Sequence, residues 1–252
     1  MMRLALVFTA IIAFAVFAVS QVPLGFVLRR LPLNAMGVQW TQTEGTIWDG
    51  RIMGVYLNAQ PLGDVDVSLD PLSLISLQPG MDIQWGGAGG RGAARFTILD
   101  RYSFQASDLR VEQRVAALES LSSELRSIGG TLRVGQGAVT INGAQCVSAT
   151  GNLQADTLAL AARQFGRTFS DLTGTVSCED GAFRIIMNGT GPDGDSVAIA
   201  ANANMLGRAD INVVANTADR DLQALLANAG FSRQDGQWIY QRTSDPAGAN
   251  AP

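Results

Sequence analysis

Asp64-Val65-Asp66-Val67-Ser68-Leu69-Asp70 alternates a polar with an apolar side chain at every step. Successive side chains of an extended chain point to opposite faces. This period of two therefore puts Val65, Val67 and Leu69 on one side and the acids and the serine on the other. The pattern predicts a strand with one buried and one solvated face. The same alternation recurs on either side of it: Met53, Val55, Leu57 and Ala59 come before, and Met81, Ile83 and Trp85 after. Further runs are Phe96/Ile98, Tyr102/Phe104, Leu132/Val134, Val139/Ile141, Phe183/Ile185/Met187, Ile211/Val213 and Trp238/Tyr240. Between the runs sit pairs that tolerate positive φ: Asp49-Gly50, Asn142-Gly143, Asp180-Gly181, Asn188-Gly189, Asp193-Gly194 and Asp235-Gly236. Short strands joined by tight turns make hairpins and meanders and argue against βαβ units. The fold class expected is mainly β, a long antiparallel sheet after an N-terminal membrane helix. The sheet should be strongly curved, because an open sheet of this size must curl or split to cover its apolar face.

Two helices interrupt this reading. Glu112–Arg126 places Val115, Leu118, Leu121 and Leu125 on one side and ends before Gly129-Gly130. Asp219–Ala229 places Leu222, Leu225, Leu226 and Ala229 at i, i+3, i+4, i+7, with Asp219 and Asp221 in its first turn and Gly230 at its end. Leu153–Phe165 reads either as a strand and loop or as a short helix. Gly45-Thr-Ile, Gly130-Thr-Leu, Gly151-Asn-Leu and Gly174-Thr-Val repeat a way of starting a strand at irregular spacing, so they are no solenoid period. The expected organisation is an anchor over residues 1–30 and a β-rich domain over 31–244. Half-sheets 31–128 and 129–244 are one reading of that domain, although no linker separates them. The tail 245–252 is expected to be disordered.

The N-terminus explains the anchor. After Arg3, no charged residue appears from Leu4 to Leu28, and Leu4–Val19 is apolar apart from Thr9. A helix of about 20 residues crosses the hydrocarbon of a bilayer. Leu4, Phe8, Ile12, Phe14, Val16 and Phe17 are the expected membrane-anchor residues. A retained anchor is one reading; the other is a signal peptide cut after Ala18-Val19-Ser20. Arg3 with the terminal amine faces Arg29-Arg30 across the segment, so the positive-inside rule is nearly balanced.

Composition narrows the function. The 252 residues contain no His, and all 18 basic residues are Arg. The missing His removes a Ser-His-Asp or Cys-His triad and most transition-metal sites. The missing Lys removes Schiff-base chemistry and the P-loop lysine. Residues 31–252 carry 15 Arg against 22 acids, or −7. Such a domain is a poor partner for nucleic acid or for an anionic membrane surface. An exported chain with two Cys, Cys146 and Cys178, each beside a turn signal, favours one structural disulfide over two unrelated thiols.

Each candidate site has a plain structural alternative. Gly86-Gly-Ala-Gly-Gly-Arg-Gly92 could aim N–H groups at phosphate, but without Lys or a following helix it reads as a hairpin loop. Asp64, Asp66 and Asp70 could serve glycoside hydrolysis or calcium, as could Asp193 and Asp195. The first set reads as a solvated strand face and the second as a turn. Asn188-Gly-Thr190 fits a glycosylation sequon. Among Trp40, Trp48, Trp85 and Trp238, most should pack on the sheet. Trp48, at the tight Asp49-Gly50 turn, and Trp85 are the candidates for an interaction surface. No residue set calls for a catalytic role, a cofactor or a metal.

The order of several short motifs resembles the type II secretion system protein N family. They are the N-terminal anchor, Gly45-Thr-Ile-Trp-Asp-Gly50, Leu69-Asp-Pro-Leu72, Gly129-Gly-Thr-Leu132, Cys146 with Cys178-Glu-Asp-Gly181, and Leu225-Leu-Ala-Asn-Ala-Gly-Phe231 running into Gly236-Gln-Trp-Ile-Tyr240. The resemblance implies a non-enzymatic inner-membrane accessory protein with a periplasmic β-rich domain. Its implied partners are the inner-membrane platform or the outer-membrane secretin. The family is similar to AsmA-like envelope proteins, so a curved or half-barrel sheet forming a lipid-binding or lipid-conducting groove is the alternative.

Overall fold

The computed structural model describes residues 14, 17–18, 20–30, 33, 37–57, 60–75, 78–87, 89–118, 123–164, 166–205 and 208–244. The chain is mainly β, with fifteen strands among the described residues, and divides into two compact units, Met1–Arg91 and Gly92–Pro252.

In the first unit, a five-residue helix α1 (Leu24–Leu28) precedes β1 (Val38–Gln39), β2 (Gln42–Gly45), β3 (Gly50–Leu57), β4 (Gln60–Leu69) and β5 (Gly80–Gly86). The strands are antiparallel in the order β1-β3-β4-β5, with β2 also pairing β3. The Asp64–Asp70 stretch ends β4. Val65 stands between Ile52 and Trp85, Val67 opposite Ile83, and Leu69 opposite Met81. Directly paired residues share a face, so these side chains make one apolar surface. On the other face, Asp66 receives the Arg51 Nε–H at 2.6 Å. Asp64 accepts the Gly54 N–H at 3.1 Å, and Asp70 accepts the Leu72 N–H at 2.9 Å at the start of α2 (Pro71–Ile75).

Residues at the end of the expected anchor belong to this unit. Pro23 bridges Thr46, and the Ile47 N–H donates to the Val22 carbonyl at 3.2 Å. Leu24 is buried, and a side chain at Gly50 would come within 2.7 Å of its Cδ2. Of the six expected membrane-anchor residues, Leu4, Phe8, Ile12 and Val16 lie outside the described residues, while Phe14 and Phe17 are exposed. No helix among the described residues is long and apolar enough to cross a membrane.

The second unit starts within β6 (Gly90–Ile98). It continues through β7 (Ser103–Arg114), β8 (Thr131–Asn142), β9 (Gln145–Ala155), β10 (Leu172–Glu179), β11 (Ala182–Thr190), β12 (Ser196–Ala203) and β13 (Ala209–Asn216). These strands neighbour one another in chain order. β15 (Gln237–Ser244) pairs next with β13, and β14 (Ser232–Gln234) lies outermost. The helices are α3 (Ser123–Ile128), α4 (Thr157–Gln164) and α5 (Arg220–Asn228). The core is Leu153, Ala155, Leu172 and Met187, with Val134, Val176, Ile185 and Ile199 around it and Leu158 covering it from α4. Register puts them on one face: Leu153 opposite Val134, Leu172 opposite Ala155, Val176 opposite Ile185, Met187 opposite Ile199.

Three expectations need correction here. The helix expected over Glu112–Arg126 is a strand as far as Arg114, because Glu112, Gln113 and Arg114 pair with Arg133, Leu132 and Thr131. A 3-10 turn covers Val115–Ala117, and the helix proper is the later α3. Asn188-Gly189 is no turn: it lies inside β11, where Asn188 pairs with both Thr173 and Ala198. Gly189 is small because a Cβ there would meet Phe169 Cε1 at 2.8 Å and Leu172 Cδ2 at 2.9 Å. The glycines taken as strand starters also play different parts. Gly130 precedes β8, Gly45 ends β2, and Gly151 and Gly174 lie inside β9 and β10. The ambiguous Leu153–Phe165 stretch divides into the end of β9 and helix α4.

Candidate functional site: an apolar pocket between two helices

Helices α4 and α5 stand on the same face of the second unit's sheet and flank a cavity of about 190 Å³. Their local sequence fixes both ends. Ala-rich Thr157–Gln164 is a good helix former. The preceding Asp156 ties α4 to β8 by accepting the Thr131 N–H at 2.6 Å. In α5, the Asp219 side chain accepts the Leu222 N–H at 2.9 Å as an N-cap. Gly230, at φ +88°, leaves the helix in the left-handed region. The Phe231 N–H then returns to the Leu226 carbonyl at 3.0 Å.

The cavity walls are apolar. Leu158, Ala161 and Ala162 come from α4, Leu222 and Leu226 from α5, and Val197 and Ala215 from β12 and β13, joined by Phe169. At the mouth, Arg167 reaches Asp195 at 3.7 Å and is hydrogen-bonded to Asp219. The Asp219 carboxyl is held below the ordinary aspartate range, chiefly by the Leu222 N–H and further by the Arg167 guanidinium. Asp193 also lines the rim and is exposed.

Cys146 and Cys178 are joined in a disulfide, with their Cα atoms 5.6 Å apart. The β9–β10 ladder pairs Asn152–Ala155 with Leu172–Thr175, and the disulfide fastens the two strands beyond it. Trp85 is half-buried opposite Val65 on the apolar face of the first unit. Trp48 is half-buried in the turn that Thr46 closes onto Asp49, and its N–H donates to Thr46 Oγ1 at 3.3 Å. The glycine-rich stretch is the β5–β6 turn, closed by Gly87 N–H to the Gly90 carbonyl at 2.9 Å. Asn188 of the sequon is a strand residue. Asp195, expected as a plain turn residue, anchors Arg167. The pocket itself escaped the sequence reading: Arg167 and Asp219 are 52 residues apart, and no local pattern joins them.

A family model described as type II secretion system (T2SS), protein N, matches residues 36–239, most of the chain. The chain belongs to the type II secretion system protein N family. The match takes in the disulfide, Trp48, Trp85 and the α4–α5 pocket of this secretion protein. No curated protein and no solved structure matches it significantly.

Proposed function

We propose that this member of the type II secretion system protein N family is a non-enzymatic accessory component of the secretion machinery. A single-pass anchor within residues 4–28 holds it in the bacterial inner membrane. Its β units lie in the periplasm, where their surfaces support assembly or export. The family match over residues 36–239 carries this reading. Two further observations support it: the Cys146–Cys178 disulfide suits an oxidising compartment, and the uncharged stretch from Leu4 to Gln21, ahead of the residues packed on the first unit, still reaches the length of a short span. Its partners are the inner-membrane platform or the outer-membrane secretin.

Two measurements test this. Membranes washed with carbonate should retain the full-length chain, and a mature form starting near Gln21 would overturn the anchor. In-cell crosslinking from the β units should recover secretion-machinery proteins. Recovery of phospholipid alone would replace the assembly role with a lipid groove.

A further inference from the structure

We propose that the α4–α5 cavity is a socket for one large apolar side chain of a partner polypeptide, with a basic residue beside it. This rests on the assembly role above and names the chemistry of the partner's contact. Size is the first argument. An apolar cavity of about 150 Å³ accepts benzene, whereas pockets for whole small-molecule ligands span about 300–1,000 Å³. At about 190 Å³, the cavity takes a Phe, Leu or Met side chain and is too small for the paired chains of a phospholipid.

The second argument is an incomplete helix. α5 carries an apolar stripe, yet none of its residues is buried, the cavity-lining Leu222 and Leu226 included. A helix in water draws most of its stability from packing its apolar face. Leu222 and Leu226 border the cavity, so an inserted side chain completes that packing.

Charge selects the neighbour. Asp193 and Asp195 line the cavity with Arg167, whose guanidinium already engages Asp195 and, just outside the lining, Asp219. Arg220 and Asp221 follow in the first turn of α5 and offset each other. The rim is therefore net acidic. It repels a phosphate or carboxylate head group and attracts a guanidinium or ammonium. Anchor residues of this kind, buried in a pocket with charges at the rim, dominate protein–protein contacts.

The test uses the full-length protein in detergent with methyl-labelled Leu and Ala, titrated with acetyl-Phe-Arg-amide, acetyl-Phe-Glu-amide and decanoate. The Phe-Arg peptide should shift the Leu158, Leu222 and Leu226 methyl signals and bind roughly 3–5-fold more tightly than Phe-Glu, the upper part of the range for an exposed ion pair. Ala162→Phe should fill the socket and abolish the shifts. Asp193→Arg changes only an exposed rim residue, so it tests the idea even if the filled variant does not fold, and it should erase the preference for Phe-Arg. Equal binding of the two peptides, saturation by decanoate alone, or no methyl shift would each overturn the socket. A photoreactive residue at Thr168 in cells separates the two readings. Polypeptide adducts outside the secretion machinery, together with the expected peptide preference, keep the socket and overturn the secretion role. Adducts to phospholipid overturn the socket.

Discussion

Asp219 serves two elements at once: it caps α5 through the Leu222 N–H at 2.9 Å and holds Arg167 at the pocket mouth. Because its carboxyl is lowered in the folded state, the stabilisation it gives is present above the unfolded aspartate value of about 3.9. That stabilisation disappears as pH falls through the lower folded value. Asp219→Asn should therefore flatten the fall of the urea midpoint below about pH 4, measured against the parent chain across that range. Gly174 shows a different residue-scale demand. A Cβ there would collide with the Ile186 carbonyl oxygen and lie 2.7 Å from Met187 Cα, both backbone atoms of β11 that cannot rotate away. Gly174→Ala should cost about 1–3 kcal/mol, read as a lower urea midpoint at unchanged slope. A glycine with a negative φ inside a strand shows no such need in one dimension, so its role was not legible in Gly174-Thr-Val.

At the element scale, helix α5 was readable because its signals are local. Leucines at i, i+3 and i+4, an acidic cap and a closing glycine all fall within a dozen residues. The Glu112–Arg126 stretch offered similar leucine spacing, but Glu112–Arg114 pair with a strand that begins at Thr131. Long-range ladder hydrogen bonds outweighed a weak local preference. β12 escaped for the opposite reason. Its Ala-rich sequence has little intrinsic strand preference, yet it is an eight-residue strand because β11 and β13 pair with it on both sides. The disulfide is also an element-scale device, closing a chain separation of 32 residues between β9 and β10. Replacing both cysteines with Ser should lower stability by about 3–4 kcal/mol in the chain-entropy model. Reductant should lower the denaturant midpoint of the parent chain and leave the double-Ser variant unmoved.

Across the second unit, stability should grade from the core outward. Leu153, Ala155, Leu172 and Met187 are buried where β9, β10 and β11 meet, whereas every residue of the three-residue β14 is exposed. Amide hydrogen exchange should therefore be slowest in β10 and the β9 and β11 segments beside it, and fastest in β14; a uniform rate would contradict this packing. The alternation of Asp64–Asp70 and the Asp-Gly and Asn-Gly turns set a mainly antiparallel β chain from the sequence alone, because strand period and turn conformation are local properties of the backbone. The two cysteines and the absent His and Lys set its chemical limits in the same way. Tertiary structure decided the rest: that Leu24 is buried with the first unit, that Asn188-Gly189 is strand, and that Arg167 meets Asp195 and Asp219 at the mouth of a pocket. Each depends on residues far apart in the chain, brought together only when apolar strand faces and helices bury one another, and no local pattern encodes that.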